Sequence, residues 1–178
     1  MPDRGSIATW FPDWAQYASR IAGVVRDLDP DELALRASPE HLPIWGLVAH
    51  TAGARIYWLC GVCGEENSAP PSIRDMASGY GWEDEPDHPR TAAELVTALD
   101  ASWAIVARTL DRWTPAMMAD VIERRSMSGA VEHHTRISIV NRMFSHDAYH
   151  AGEISQLLGV ARLPGIDLWR AETQAPGG

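Results

Sequence analysis

The sequence contains no lysine; all fifteen of its basic residues are arginine. That absence removes Schiff-base catalysis and the lysine of a phosphate-binding P-loop. It also points to a GC-rich genome, since lysine codons are rich in A and T. Cysteine is scarce as well. Cys60 and Cys63 are the only two, too few for a disulfide framework or a four-thiolate zinc site. No uninterrupted apolar run reaches the ~20 residues that a membrane-spanning helix needs. The polar start Met1-Pro2-Asp3-Arg4-Gly5 lacks the apolar segment of a secretory signal. A cytoplasmic protein is the expectation. Positive charge is in short supply too. With 24 acidic and 15 basic residues the formal net charge is −9. The two signs are interspersed, so no basic face is offered to nucleic acid or to an anionic membrane.

What is present suits one domain. A chain of 178 residues, 46% of them hydrophobic, can bury a real core but not two comfortable ones. The domain is expected over 1–170, with a disordered tail at 171–178.

Four amphipathic helical patterns organise the chain, without an internal repeat. The first runs from about Ala8 to Leu28, where Trp10, Trp14, Tyr17, Ile21, Val24 and Leu28 recur at helical spacing. Asp29-Pro30-Asp31 stops it. The second runs from about His41 to Val62, with Pro43 in its first turn and Gly64 as its stop. Residues 65–90 are rich in Pro, Gly, Ser and acidic side chains and read as a long loop, the kind that is functional or mobile. Thr91-Ala92-Ala93-Glu94 has the form of a capping box. It opens a third helix bearing Leu95, Leu99, Ser102, Val106, Leu110 and Trp113. Between Thr114 and His134 the pattern is indistinct, and Val121-Ile122 reads as a short extended piece. The fourth helix runs from about Thr135 to Leu158 and ends at Gly159, with a further turn expected at 165–169. The fold class is therefore all-α, a four-helix bundle with a long loop between the second and third helices.

Histidine placement is the informative feature. His146 and His150 are four residues apart, so they project from one helix face a turn from each other. On a wheel of ~100° per residue, their stripe also holds Ile139, Met143, Ile154 and Leu157. Both imidazoles therefore point into the core, and Glu153 falls on the same stripe. On the second helix His50 is flanked one turn away by Gly46, Gly53 and Ala54, which leave space beside it. Three inward histidines repel if protonated and lack partners if neutral; a cation resolves both problems. Against this stands chance spacing of two histidines on a helix, which the inward stripe and the third histidine outweigh.

The segments Ile44-Trp45-Gly46-Leu47-Val48-Ala49-His50 and His146-Asp147-Ala148-Tyr149-His150-Ala151-Gly152-Glu153-Ile154 resemble the DinB-like (YfiT-like) family of four-helix metalloproteins. The resemblance implies one divalent metal held by His50, His146 and His150. Zinc heads the candidates, with nickel, copper, manganese or iron behind it. It also implies a metal- and thiol-dependent S-transferase or isomerase, with mycothiol the natural thiol for a GC-rich actinobacterium. Homodimers are common among such relatives. The partner is then a small-molecule substrate. The competing reading is a non-catalytic metal bundle that binds a small ligand or a partner.

Other residues carry weaker expectations. Glu153 reads as an accessory group, bonding a ligand histidine or accepting a proton, against a solvated surface role. Tyr57 shares the face of His50 and can contact a ligand, although packing explains it equally. Asp147 lies ~100° off the histidine stripe and reads as a surface or inter-helix residue. Cys60-Gly61-Val62-Cys63 has redox spacing but sits at a helix C-terminus, where the dipole disfavours a thiolate. Packing is its expected role. His41, His88, His133 and His134 read as exposed, and the tryptophans as core, with Trp82 alone in the long loop at a pocket mouth.

Overall fold

The computed structural model describes residues 5–126 and 128–169; the tail expected at 171–178 lies outside them. The chain is mostly helical. A 3-10 turn at Ile7–Trp10 leads into α1, Trp14–Arg26, so Pro12 divides the first pattern into two pieces. The short helix α2, Pro30–Leu33, follows a capping box made by Asp29 and Glu32. Helix α3 spans Ile44–Ile56 with Pro43 as its N-cap, and continues as a π-helical turn at Tyr57–Val62. Gly64 ends it at φ +71, a left-handed position that suits glycine.

The loop over 65–90 is not structureless. It contains α4, Pro71–Arg74, and 3-10 turns at Asp75–Ser78 and Trp82–Asp84. Ile73, Met76 and Trp82 are buried, which fastens it to the helices. Helix α5, Ala92–Arg112, starts at the expected box: the Thr91 side chain accepts from the Glu94 N–H, and Glu94 accepts from the Thr91 N–H. Its periodic residues Leu95, Leu99, Ser102, Val106, Leu110 and the following Trp113 are all buried. Helix α6, Arg136–Val160, passes through Gly159 and stops one residue later.

Two strands modify the all-helical expectation. β1, Val121–Arg125, pairs antiparallel with β2, Val131–Thr135, in the register Ile122↔His134 and Arg124↔Glu132. Alternation sends those four residues to the inner face. Extended backbone at Val121-Ile122 is therefore present, and it belongs to a hairpin.

The core lies among the long helices. α3 packs on α5 and α6, and α1 packs on the same two. Ile44, Val48, Ala52 and Ile56 of α3 meet Leu95, Leu99, Ile105 and Val106 of α5 and Ile139, Val140 and Met143 of α6 in one apolar cluster. Among the described residues no helix is long and apolar enough to cross a membrane.

Candidate metal centre

α3 and α6 bring three imidazoles to one point. The Nε2 atom of His146 lies 3.1 Å from Nε2 of His50 and 3.0 Å from Nε2 of His150. Ligand atoms of all three lie within 4.8 Å of one another. The side chain of His50 is 38% exposed, so the cluster opens to solvent on the α3 side. His150 is buried and Tyr149, its exposed neighbour, stands edge-on to its ring.

Two carboxylates hold the outer nitrogens. Glu83 Oε1 lies 2.8 Å from His50 Nδ1, and Glu153 Oε2 lies 2.6 Å from His150 Nδ1. Each contact puts the proton on Nδ1 and leaves Nε2 with a lone pair directed at the cluster. Those two lone pairs face His146 Nε2, whose single N–H cannot serve both. A cation satisfies all three nitrogens together. Carboxylate to Nδ1, Nε2 to the ion is the arrangement that orients histidine ligands of metals.

Electrostatics agree with ligation. Burial, then repulsion from a charged His150 or His50, lowers the pKa of His146 from 6.5 to about 3. Burial lowers that of His150 as well, against the opposing pull of Glu153. Both imidazoles are thus neutral near pH 7, the protonation state that binds a metal. Three nitrogen donors leave at least one coordination position open.

Glu83 has no counterpart in the sequence reading. It comes from the 3-10 turn at Trp82–Asp84, 33 residues beyond His50. The small residues near His50 explain its approach. A Cβ on Gly53 would meet Met76 Sδ at 3.6 Å and Glu83 Oε1 at 3.9 Å. The space read beside His50 is thus occupied by the loop, and Gly46 packs instead under Pro43 and Leu42.

Asp147 is not a surface residue. It is 1% exposed and pairs with the equally buried Arg55 of α3, with Arg55 Nη2 2.7 Å from Asp147 Oδ2. Trp14 Nε1 of α1 donates to the same oxygen at 2.6 Å, and Arg55 Nη1 donates to Ser102 Oγ of α5 at 3.3 Å. The buried Asp147–Arg55 pair therefore ties four helices together, as the inter-helix alternative had it. The buried face of α6 is broader than a single stripe: Asp147 and Leu158 lie at its centre, while Leu157 is only half-buried.

The remaining candidates lie elsewhere. Among the described residues no hydrogen bond or ring contact joins Tyr57 to the imidazoles; its hydroxyl accepts from Arg124 Nε at 2.7 Å. His134 is not exposed as expected, because it stands edge-on to Trp58 and bonds Glu132. His41, His88 and His133 are exposed. Trp82 lines a cavity of about 420 Å³ with Ser72, Glu85 and Arg90, on the loop that delivers Glu83. Cys60 and Cys63 are free thiols, and burial pushes their pKa values up to about 11 and about 12.

A mostly helical fold carrying such a histidine cluster defines the class. Residues 14–154 match the model of the DinB superfamily, and the chain belongs to that family. A solved DinB-like protein from Bacillus cereus ATCC 10987 shares the fold with a TM-score of 0.66 at 13% identity. That alignment covers 92% of this chain and 99% of the other. No curated protein matches the sequence.

Proposed function

We propose that this protein binds one divalent metal through His50, His146 and His150, its four longest helices forming the bundle that holds the site, and works as a metal- and thiol-dependent S-transferase or isomerase. The observation that carries the reading is the convergence of three Nε2 atoms with carboxylates behind two of them. A divalent ion held there supplies a Lewis acid that favours the deprotonated form of a thiol or water. Glu83 and Glu153 keep two imidazoles in the ligating tautomer, and the exposure of His50 leaves an approach for substrate.

The chain's own cysteines support an external thiol. Their raised pKa values leave little thiolate near pH 7, so neither Cys60 nor Cys63 is suited to be the nucleophile. A low-molecular-weight thiol of the mycothiol kind fills that role, and a small electrophile accepts it. Zinc suits three imidazoles best, with nickel, manganese and iron as further candidates.

The test is thiol consumption by metal-loaded protein, with mycothiol and a set of electrophilic acceptors. Turnover that disappears in His146→Ala and survives replacement of both cysteines by Ser is the expected result. A metal-loaded protein that consumes no thiol with any acceptor would leave the non-catalytic ligand-binding reading in its place.

A further inference from the structure

Two arginines from different elements meet on one indole beside the histidine cluster. The guanidinium carbons of Arg124 on β1 and Arg142 on α6 each lie 5.0 Å from the ring centre of Trp58. Gathering two like charges there is unfavourable unless something compensates them. Arg124 is compensated: it pairs with Glu132 at 2.8 Å and donates to the Tyr57 hydroxyl. Arg142 is not. Among the described residues no carboxylate lies within ion-pair distance of it, and the residue is exposed to solvent.

Its position relates it to the site. Arg142 precedes His146 by one turn of α6, about 6 Å along the axis. α3 and its π-helical continuation run antiparallel to α6, since His50 meets His150 and His146 while Trp58 meets Arg142. Between His50 on α3 and Trp58 in the turn that continues it comes Ala54, a small, half-buried residue. The Arg142 charge is felt at His146, where it is one of the influences favouring the neutral ring.

We propose that Arg142, seated on Trp58 and backed by Arg124, binds a carboxylate of the substrate whose reacting end lies at the histidine cluster. The substrate class is a small carboxylic acid with a second polar group roughly one helical turn, ~6 Å, away. The guanidinium fork matches a carboxylate with two parallel hydrogen bonds, and the cation–π contact with the indole helps to hold the fork in place. A lysine has the charge but not the fork. The inference rests on the metal-site reading above, because the cluster supplies the second anchor.

The test uses cobalt-loaded full-length protein titrated calorimetrically with succinate and with uncharged succinamide. Wild type, Arg142→Gln and Arg142→Lys are all expected to hold cobalt, since Arg142 touches none of the ligand histidines. Succinate should bind about tenfold or more weakly to Arg142→Gln, with only partial recovery in Arg142→Lys, and succinamide should not compete. Equal succinate affinity in wild type and Arg142→Gln, no succinate binding by wild type, or binding of succinamide as tight as succinate would overturn the subsite alone. Failure of the wild type to hold cobalt would overturn the metal reading and this inference with it.

Discussion

Glu83 and Glu153 contact equivalent nitrogens but are positioned by different means. Glu153 stands one turn beyond His150 on the same helix, so helical geometry places it. Glu83 is held by the loop, where glycine makes the space. A Cβ on Gly81 would fall 2.1 Å from Glu83 Oε2, far inside contact distance. Glu83→Ala and Gly81→Ala should therefore each weaken metal binding by roughly 10–100-fold, the usual cost of losing an outer partner of a ligand histidine. Competition with a chromophoric chelator measures this, and unchanged affinity in both variants would make Glu83 a bystander. His146, His150 and Glu153 were legible because a helix repeats and one stripe could be followed, and His50 was read separately from the small residues around it. Glu83 was not, because the segment Gly81-Trp82-Glu83 has no periodicity that fixes where its side chains point.

At the scale of elements, the Arg55–Asp147 pair sets how α3 and α6 meet. His50 lies five residues before Arg55, and Asp147 lies between His146 and His150 in sequence, so the ion pair joins the two helices that carry the ligands. Removing one partner strands a buried charge. Asp147→Asn should destabilise the protein by roughly 3–5 kcal/mol in urea unfolding, whereas Arg55→Met with Asp147→Leu should cost much less. Equal losses in the two variants would mean that packing, not charge, governs this contact. The start at Thr91 was readable because its capping chemistry is local, and Pro43 marked the start of α3 to within a few residues; α2 was not, because Asp29-Pro30-Asp31 reads as a stop. The wheel leaves Asp147 as a surface or inter-helix residue because it follows one narrow stripe, and the wide buried face of α6 decides for the inter-helix role. Arg55 held the missing signal: an arginine inside the apolar run Ile44–Ile56 requires a buried carboxylate opposite it. The hairpin was only half legible, because one of its inward pairs is charged, Arg124 with Glu132, and its strands lack the apolar alternation that marks a half-buried sheet.

Across the whole molecule, the histidine cluster links stability to pH. Folded His146 has a pKa of about 3 against an ordinary 6.5. Between those values the unfolded chain takes up a proton that the folded chain refuses. Stability of the metal-free protein should therefore fall as pH drops from about 6.5 toward 3, and this group should contribute no pH dependence above that range. His150 acts in the same direction. Urea midpoints at pH 7 and pH 5 check it, and a higher midpoint at pH 5 would contradict it. Bound metal should steepen the fall, because protons compete for the same nitrogens.

Three imidazoles from two helices are proposed to hold one ion. Elemental analysis of the purified protein, alongside His146→Ala at matched helicity by circular dichroism, tests it most directly. Close to one equivalent of divalent metal per chain in the wild type, and almost none in a variant that remains folded, is the predicted result. No metal in the native protein and no uptake by the metal-free protein would contradict it.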